Sequence, residues 1–161
     1  MKQLKLYLDT NMSERFFKNA ILSKRNRMEL KIPKIFEYLT SLDAELFVSS
    51  FSLAEIYEHM WKKYQAKPNE ISEITQNFLE KFKIRLVLNF EIKSIILRWI
   101  RKRKLEAKDV IHLLIAKNLD IYLLSDDDDF TERAQALYRK IIPEKNLRFF
   151  ISSFQSSNDL S

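Results

Sequence analysis

Apolar and polar residues alternate through Leu4-Lys5-Leu6-Tyr7-Leu8 and stop at Asp9-Thr10-Asn11, the pattern of a strand closed by a polar turn. Ser13 is then placed to cap a helix that carries Phe16, Phe17, Ala20 and Ile21. Pro33 opens a second helix, with Ile35, Phe36 and Leu39 on one side. Leu46-Phe47-Val48 reads as a short strand, and the serines that follow cap a helix bearing Phe51, Ala54, Tyr57, Trp61 and Tyr64. Lys67-Pro68-Asn69 breaks that helix. Ile71, Ile74, Phe78, Leu79 and Phe82 mark another, and Ile84, Leu86 and Leu88 alternate like a strand. Helical spacing returns over 92–100 and in the nearly all-apolar run 110–116, which leads to a core strand over 121–124. A last helix over 134–141 and a last strand over 147–151 complete the pattern, and residues 152–161 read as a frayed polar tail.

Strands separated by helices predict a parallel sheet with right-handed crossovers. In such sheets the functional crevice lies beyond the carboxyl ends of the strands. The length, 161 residues, suits one domain, drawn here over 1–151. Composition then removes whole classes of chemistry. The chain has no Gly, so no glycine-dependent phosphate cradle, dinucleotide turn or nucleophile elbow is possible. It has no Cys, which excludes disulfides, thiolate zinc sites and a cysteine nucleophile. No apolar stretch is long enough to predict a membrane span, so a soluble cytoplasmic protein is expected. With 28 Lys and Arg against 22 Asp and Glu, the net charge is +6, compatible with a polyanionic partner.

The acids at strand ends change the picture most. Asp9 ends the first strand, and Asp126-Asp127-Asp128-Asp129 follows the strand at 121–124. Glu55 lies early in the helix after the second strand, and Asp109 lies near the start of the buried helix. Carboxylates gathered at one edge would repel and would collect cations. Oxygen donors without thiolates suit Mg²⁺ or Mn²⁺. Each acid also has a plain structural reading. Asp9 can start an Asx turn, Ser52-x-x-Glu55 and Asp129-x-x-Glu132 match capping boxes, and Asp109 suits a helix dipole.

Four blocks, in order, resemble the PIN-domain nucleases: Leu8-Asp9-Thr10-Asn11, Ser52-Leu53-Ala54-Glu55, Ala107-Lys108-Asp109-Val110-Ile111-His112, and Leu119 through Phe130 with its Ser125-Asp126-Asp127-Asp128-Asp129 run. The resemblance implies a three-layer α/β/α sandwich around a mainly parallel sheet of four or five strands. It implies an acidic quartet of Asp9, Glu55, Asp109 and Asp127, with Asp129 as a further acid, holding one or two Mg²⁺ or Mn²⁺ ions. Thr10, Asn11 and Ser125 become supporting polar groups. His112, one turn after Asp109, orients a carboxylate, touches substrate or is simply hydrogen-bonded inside its helix. His59, four residues after Glu55, makes an E-x-x-x-H pair able to chelate a metal, but without a third nitrogen or thiolate it reads as an ordinary surface or packing histidine. One departure is Asp120, which stands where the family pattern has Gly at a left-handed helix end; Asp tolerates that conformation better than most residues.

Arg98, Arg101, Lys102, Arg103 and Lys104 lie just upstream of Asp109 and can hold an RNA backbone, or can complement a helix dipole. The family resemblance further implies an antitoxin partner of the VapBC type and a homodimer. The resulting expectation is a metal-dependent endoribonuclease leaving 5′-phosphate and 3′-hydroxyl ends. The alternatives are a non-catalytic nucleic-acid-binding or scaffold domain on the same fold, and an RNA-maturation nuclease.

Overall fold

The computed structural model describes residues 3–159. Five strands alternate with helices: β1 (Lys5–Leu8), β2 (Glu45–Ser49), β3 (Arg85–Val87), β4 (Tyr122–Ser125) and β5 (Ile141–Pro143). They form one parallel sheet in the order β3-β2-β1-β4-β5, the α/β/α fold expected. Contacts gather into two compact units, one from Leu8 to Leu88 and the other from Asn89 onward together with the chain up to Tyr7.

The first of these units holds α1 (Thr10–Asn26), α2 (Lys34–Ser41), α3 (Ser50–Tyr64) and α4 (Pro68–Lys81). Its core is aromatic. Phe16, Phe17, Phe36 and Phe78 are all fully buried. The Phe78 ring lies 5.1 Å from Phe16, 5.3 Å from Phe17 and 5.6 Å from Phe36. The helix break predicted around Pro68 is present: α3 ends at Tyr64 and Pro68 opens α4, where a missing N–H costs nothing, and the Glu70 side chain reaches back to the Lys67 backbone N–H.

The other unit holds α5 (Ile95–Arg103), α6 (Ala107–Leu119), α7 (Asp128–Ala134) and α8 (Leu147–Asp159). Three expectations fail here. The helix drawn over 134–141 ends at its first residue, and Ile141–Pro143 form a strand instead. Tyr138, which matched the helical spacing, sends its hydroxyl to the Ala116 and Ile121 carbonyls at 3.2 and 2.5 Å. Those bonds tie the end of α6 to the start of β4. The strand drawn over 147–151 is the start of α8, and 152–159 continue that helix rather than fraying. Leu147 and Ile151 bury one side of it, four residues apart. The tail residues 160 and 161 lie outside the described residues.

With no glycine in the chain, six of the described residues take up left-handed backbone: Arg27, Asp43, Gln65, Lys83, Lys104 and Asp120. Four of them cap helices α1, α3, α5 and α6. Asp120 adopts φ 53° as expected, and Lys140 grips both its carbonyl, at 3.1 Å, and its carboxylate, at 2.8 Å.

Candidate active site

In the unit from Leu8 to Leu88, the end of β1 delivers Asp9 as the cap of α1. Its Oδ1 accepts the Met12 N–H at 3.0 Å, and the residue is 8% exposed. The helix therefore begins at Thr10, ahead of the expected Ser13. The α3 cap is Ser49, whose Oγ accepts the Ser52 N–H at 3.0 Å. That moves Glu55 beyond the capping turn, so the capping-box reading of Ser52-x-x-Glu55 does not hold. Glu55 Oε1 instead accepts the Thr10 hydroxyl at 2.6 Å, which joins the residue after Asp9 to the second acid. One turn further along both helices, His59 Nδ1 meets Glu14 Oε2 at 2.9 Å. Thr10 is buried and Asn11 is exposed.

In the other unit, Asp109 lies in the first turn of α6, half-buried. Burial holds its carboxyl above the usual range, and the charges of Glu106 and Asp127 push the same way, against Lys108 and His112. Asp127 is thus an electrostatic neighbour of Asp109. It caps α7 by accepting the Phe130 N–H at 3.0 Å, which displaces Asp129 from that role. The buried Ser125 Oγ accepts the Asp127 N–H at 3.1 Å and fixes the turn. Asp129 is exposed and lies 3.8 Å from Arg133 Nη2. His112 is 4% exposed, with Nδ1 2.7 Å from the Tyr7 hydroxyl.

On α5, Ile96 and Trp99 are buried, while Arg98, Arg101 and Lys102 are exposed. Lys104 is exposed too, as the left-handed cap, and its carbonyl accepts from Arg133. Arg103 departs from the exposed group: it is half-buried, and its Nε is enclosed without a hydrogen-bond partner.

In the sequence, His59 reads as an ordinary surface or packing histidine and Glu14 has no assigned role. The signal was present as spacing, since Glu14 follows Thr10 by four residues and His59 follows Glu55 by four.

The PIN-domain family model matches residues 6–136, which include Asp9, Glu55, Asp109, Asp127 and Asp129. The chain belongs to the PIN-domain family. Among solved structures, the fold is similar to that of PAE2754 from Pyrobaculum aerophilum, with a TM-score of 0.55 and 11% identity over 93% of this chain and 96% of that one. No curated protein matches the sequence. The PIN fold is of nuclease type. Among the described residues, no helix is long and apolar enough to cross a membrane.

The donors fit a hard divalent ion rather than zinc. The acids offer carboxylate oxygens, the chain has no thiol, and the one buried histidine is occupied by Tyr7. Among the described residues, no group of three or more His, Asp or Glu side chains is gathered for a metal ion.

Proposed function

We propose that this PIN domain is a divalent-metal-dependent endoribonuclease, with Asp9, Glu55, Asp109 and Asp127 as its metal-holding acids and Asp129 as an accessory acid. The observation that carries this reading is Asp109: a half-buried carboxyl held above its usual range, with another acid, Asp127, adding to the repulsion. A nearby cation relieves that cost. The sheet order supports it, because the chain reverses direction across the sheet at β1, between β2 and β4. Ligands in open α/β sheets favour the carboxyl ends of strands at such a reversal, and Asp9 and Asp127 follow β1 and β4.

One or two bound Mg²⁺ or Mn²⁺ ions would activate a water for attack on the phosphodiester and stabilise the departing oxygen. The chain's own part is positional. The Thr10 hydroxyl fixes Glu55, Ser125 fixes the turn bearing Asp127, and Tyr7 fixes His112 one turn after Asp109. Arg98, Arg101 and Lys102 carry no ion pair among the described residues, so they are available to an RNA backbone. We assign the protein to the cytoplasm, as the toxin of a toxin–antitoxin pair with an antitoxin partner and a homodimeric state, in preference to RNA maturation.

A second reading has its own observation. Asp9 and Asp127 both serve as helix caps, a role that needs no metal, as in a non-catalytic RNA-binding domain. Cleavage of single-stranded RNA with Mg²⁺ or Mn²⁺ separates the two. The nuclease reading expects activity in the wild type and none in folded Asp9→Asn or Asp109→Asn. Equal activity in all three places the cleavage elsewhere, and its absence in all three favours the binding domain.

A further inference from the structure

We propose that Glu14 and His59 form a positioning clasp that fixes helix α3 against α1 and thereby sets where Glu55 is presented. The inference rests on the reading of Glu55 as a metal-holding acid. Thr10 pairs with Glu55 at 2.6 Å and Glu14 pairs with His59 at 2.9 Å. The partners advance by four residues on both helices, so these are successive rungs between two helices running the same way. A single rung lets the helices pivot about it. Two rungs, one turn apart, fix both slide and rotation. The neighbouring Phe17–Tyr57 ring contact, with centroids 6.5 Å apart, adds packing between the same two helices, and the two polar rungs fix which turns face each other.

Asp9 caps the start of α1 and Glu55 sits in the second turn of α3, so the register between these helices sets the spacing of the two acids. The clasp is only partly buried, with side chains 42% exposed for His59 and 24% for Glu14. Half-exposed pairs of this kind add little to folding stability. Their removal is therefore readable at the site without loss of the fold. His59 is a positioning residue that acts through Glu55.

The test uses the full chain and Mn²⁺ as the probe, with free Mn²⁺ followed by electron paramagnetic resonance. His59→Ala and Glu14→Ala are expected to weaken Mn²⁺ binding by about three- to tenfold, below the roughly 10- to 100-fold typical of groups bonded directly to a metal ligand. The double variant is expected to be no weaker than either single one. His59→Asn, which keeps a nitrogen near the place of Nδ1, is expected to restore affinity to within about twofold, a rescue a general packing defect would not give. The thermal midpoints of all variants are expected to stay within about 2 °C of wild type. Unchanged Mn²⁺ affinity in His59→Ala, or additive losses in the double variant, overturns the clasp. If Asp9→Asn abolishes Mn²⁺ binding while His59→Ala leaves it intact, the clasp alone fails. If Asp9→Asn also binds Mn²⁺ like wild type, the acidic-site reading fails and takes the clasp with it.

Discussion

Replacing Tyr7 by Phe removes one oxygen and is expected to loosen β1 against α6. Tyr7 is fully buried in β1, two residues before Asp9, and His112 is 4% exposed in α6, three residues after Asp109. Their 2.7 Å contact ties the strand leading to one acid to the helix bearing another. Either the hydroxyl donates to a bare Nδ1 or it accepts from Nδ1–H, and in both cases its loss leaves a buried ring nitrogen without this partner. Such a nitrogen costs about 1–3 kcal/mol, more than the net worth of an ordinary hydrogen bond. The shape of the side chain is otherwise kept, so no cavity contribution adds to it. For a chain of this length each kcal/mol moves the thermal midpoint by roughly 2–4 °C, which predicts a fall of about 2–12 °C. Urea unfolding should show a lower midpoint with an unchanged slope. In a double-mutant cycle, Tyr7→Phe in a His112→Ala background should cost at least about 1 kcal/mol less than in wild type. A loss below about 0.5 kcal/mol in Tyr7→Phe, or strict additivity in the cycle, would refute the reasoning.

Three further outcomes follow from the same structure. Asp109→Asn should abolish nuclease activity yet stabilise the metal-free fold at neutral pH. The raised folded value means that ionised Asp109 destabilises the wild type above it, a penalty relieved as pH falls toward the ordinary aspartate value; melts against pH should show this slope in wild type and its absence in the variant. Burial alone would raise the Glu70 carboxyl, but Arg25 and the Lys67 N–H outweigh it and hold the value low, so Glu70→Gln should cost about 0.5–1 kcal/mol at neutral pH and nothing in acid below the folded value, as read by denaturation at both pH values. Gln65→Gly should stabilise by about 0.5–1 kcal/mol, because left-handed backbone costs a non-glycine residue more than glycine loses in chain entropy; Asp120→Gly should gain less, since it forfeits the Lys140 ion pair, and calorimetry on the two variants decides the order.

Much of this fold was legible in the chain because burial follows period. The α1 stripe of Phe16, Phe17, Ala20 and Ile21 and the α4 stripe of Ile71, Ile74 and Phe78 are buried as the spacing predicts. The failures lie near the carboxyl end, where segments are short. Ala134, Leu137, Tyr138 and Ile141 match a helix, yet Tyr138 bonds to carbonyls on other elements, and the β-branched pair Ile141-Ile142 joins the sheet. Leu147 to Ile151 could be a strand or one side of a helix, and the burial of residues four apart decided for the helix. At the candidate site, Asp9 and Asp127 follow strands and Glu55 and Asp109 lie early in helices, the placements the sequence pattern predicts. The helix caps were not legible in the same way, because Ser49 and Ser52 are equally good caps in sequence. Only the fold shows that Ser49 takes the role and leaves Glu55 to Thr10. The Glu14–His59 pair spans 45 residues; the matching four-residue spacings were in the chain, but only the fold shows that the two side chains meet.

The central claim, that acids from separate parts of the chain hold one divalent centre, is tested most directly by Mn²⁺ anomalous diffraction from crystals of the full chain. The account predicts Mn²⁺ density coordinated by carboxylate oxygens of Asp9, Glu55, Asp109 and Asp127 within about 2.5 Å, lost in Asp109→Asn. Well-ordered crystals in saturating Mn²⁺ with no density at these carboxylates would contradict it.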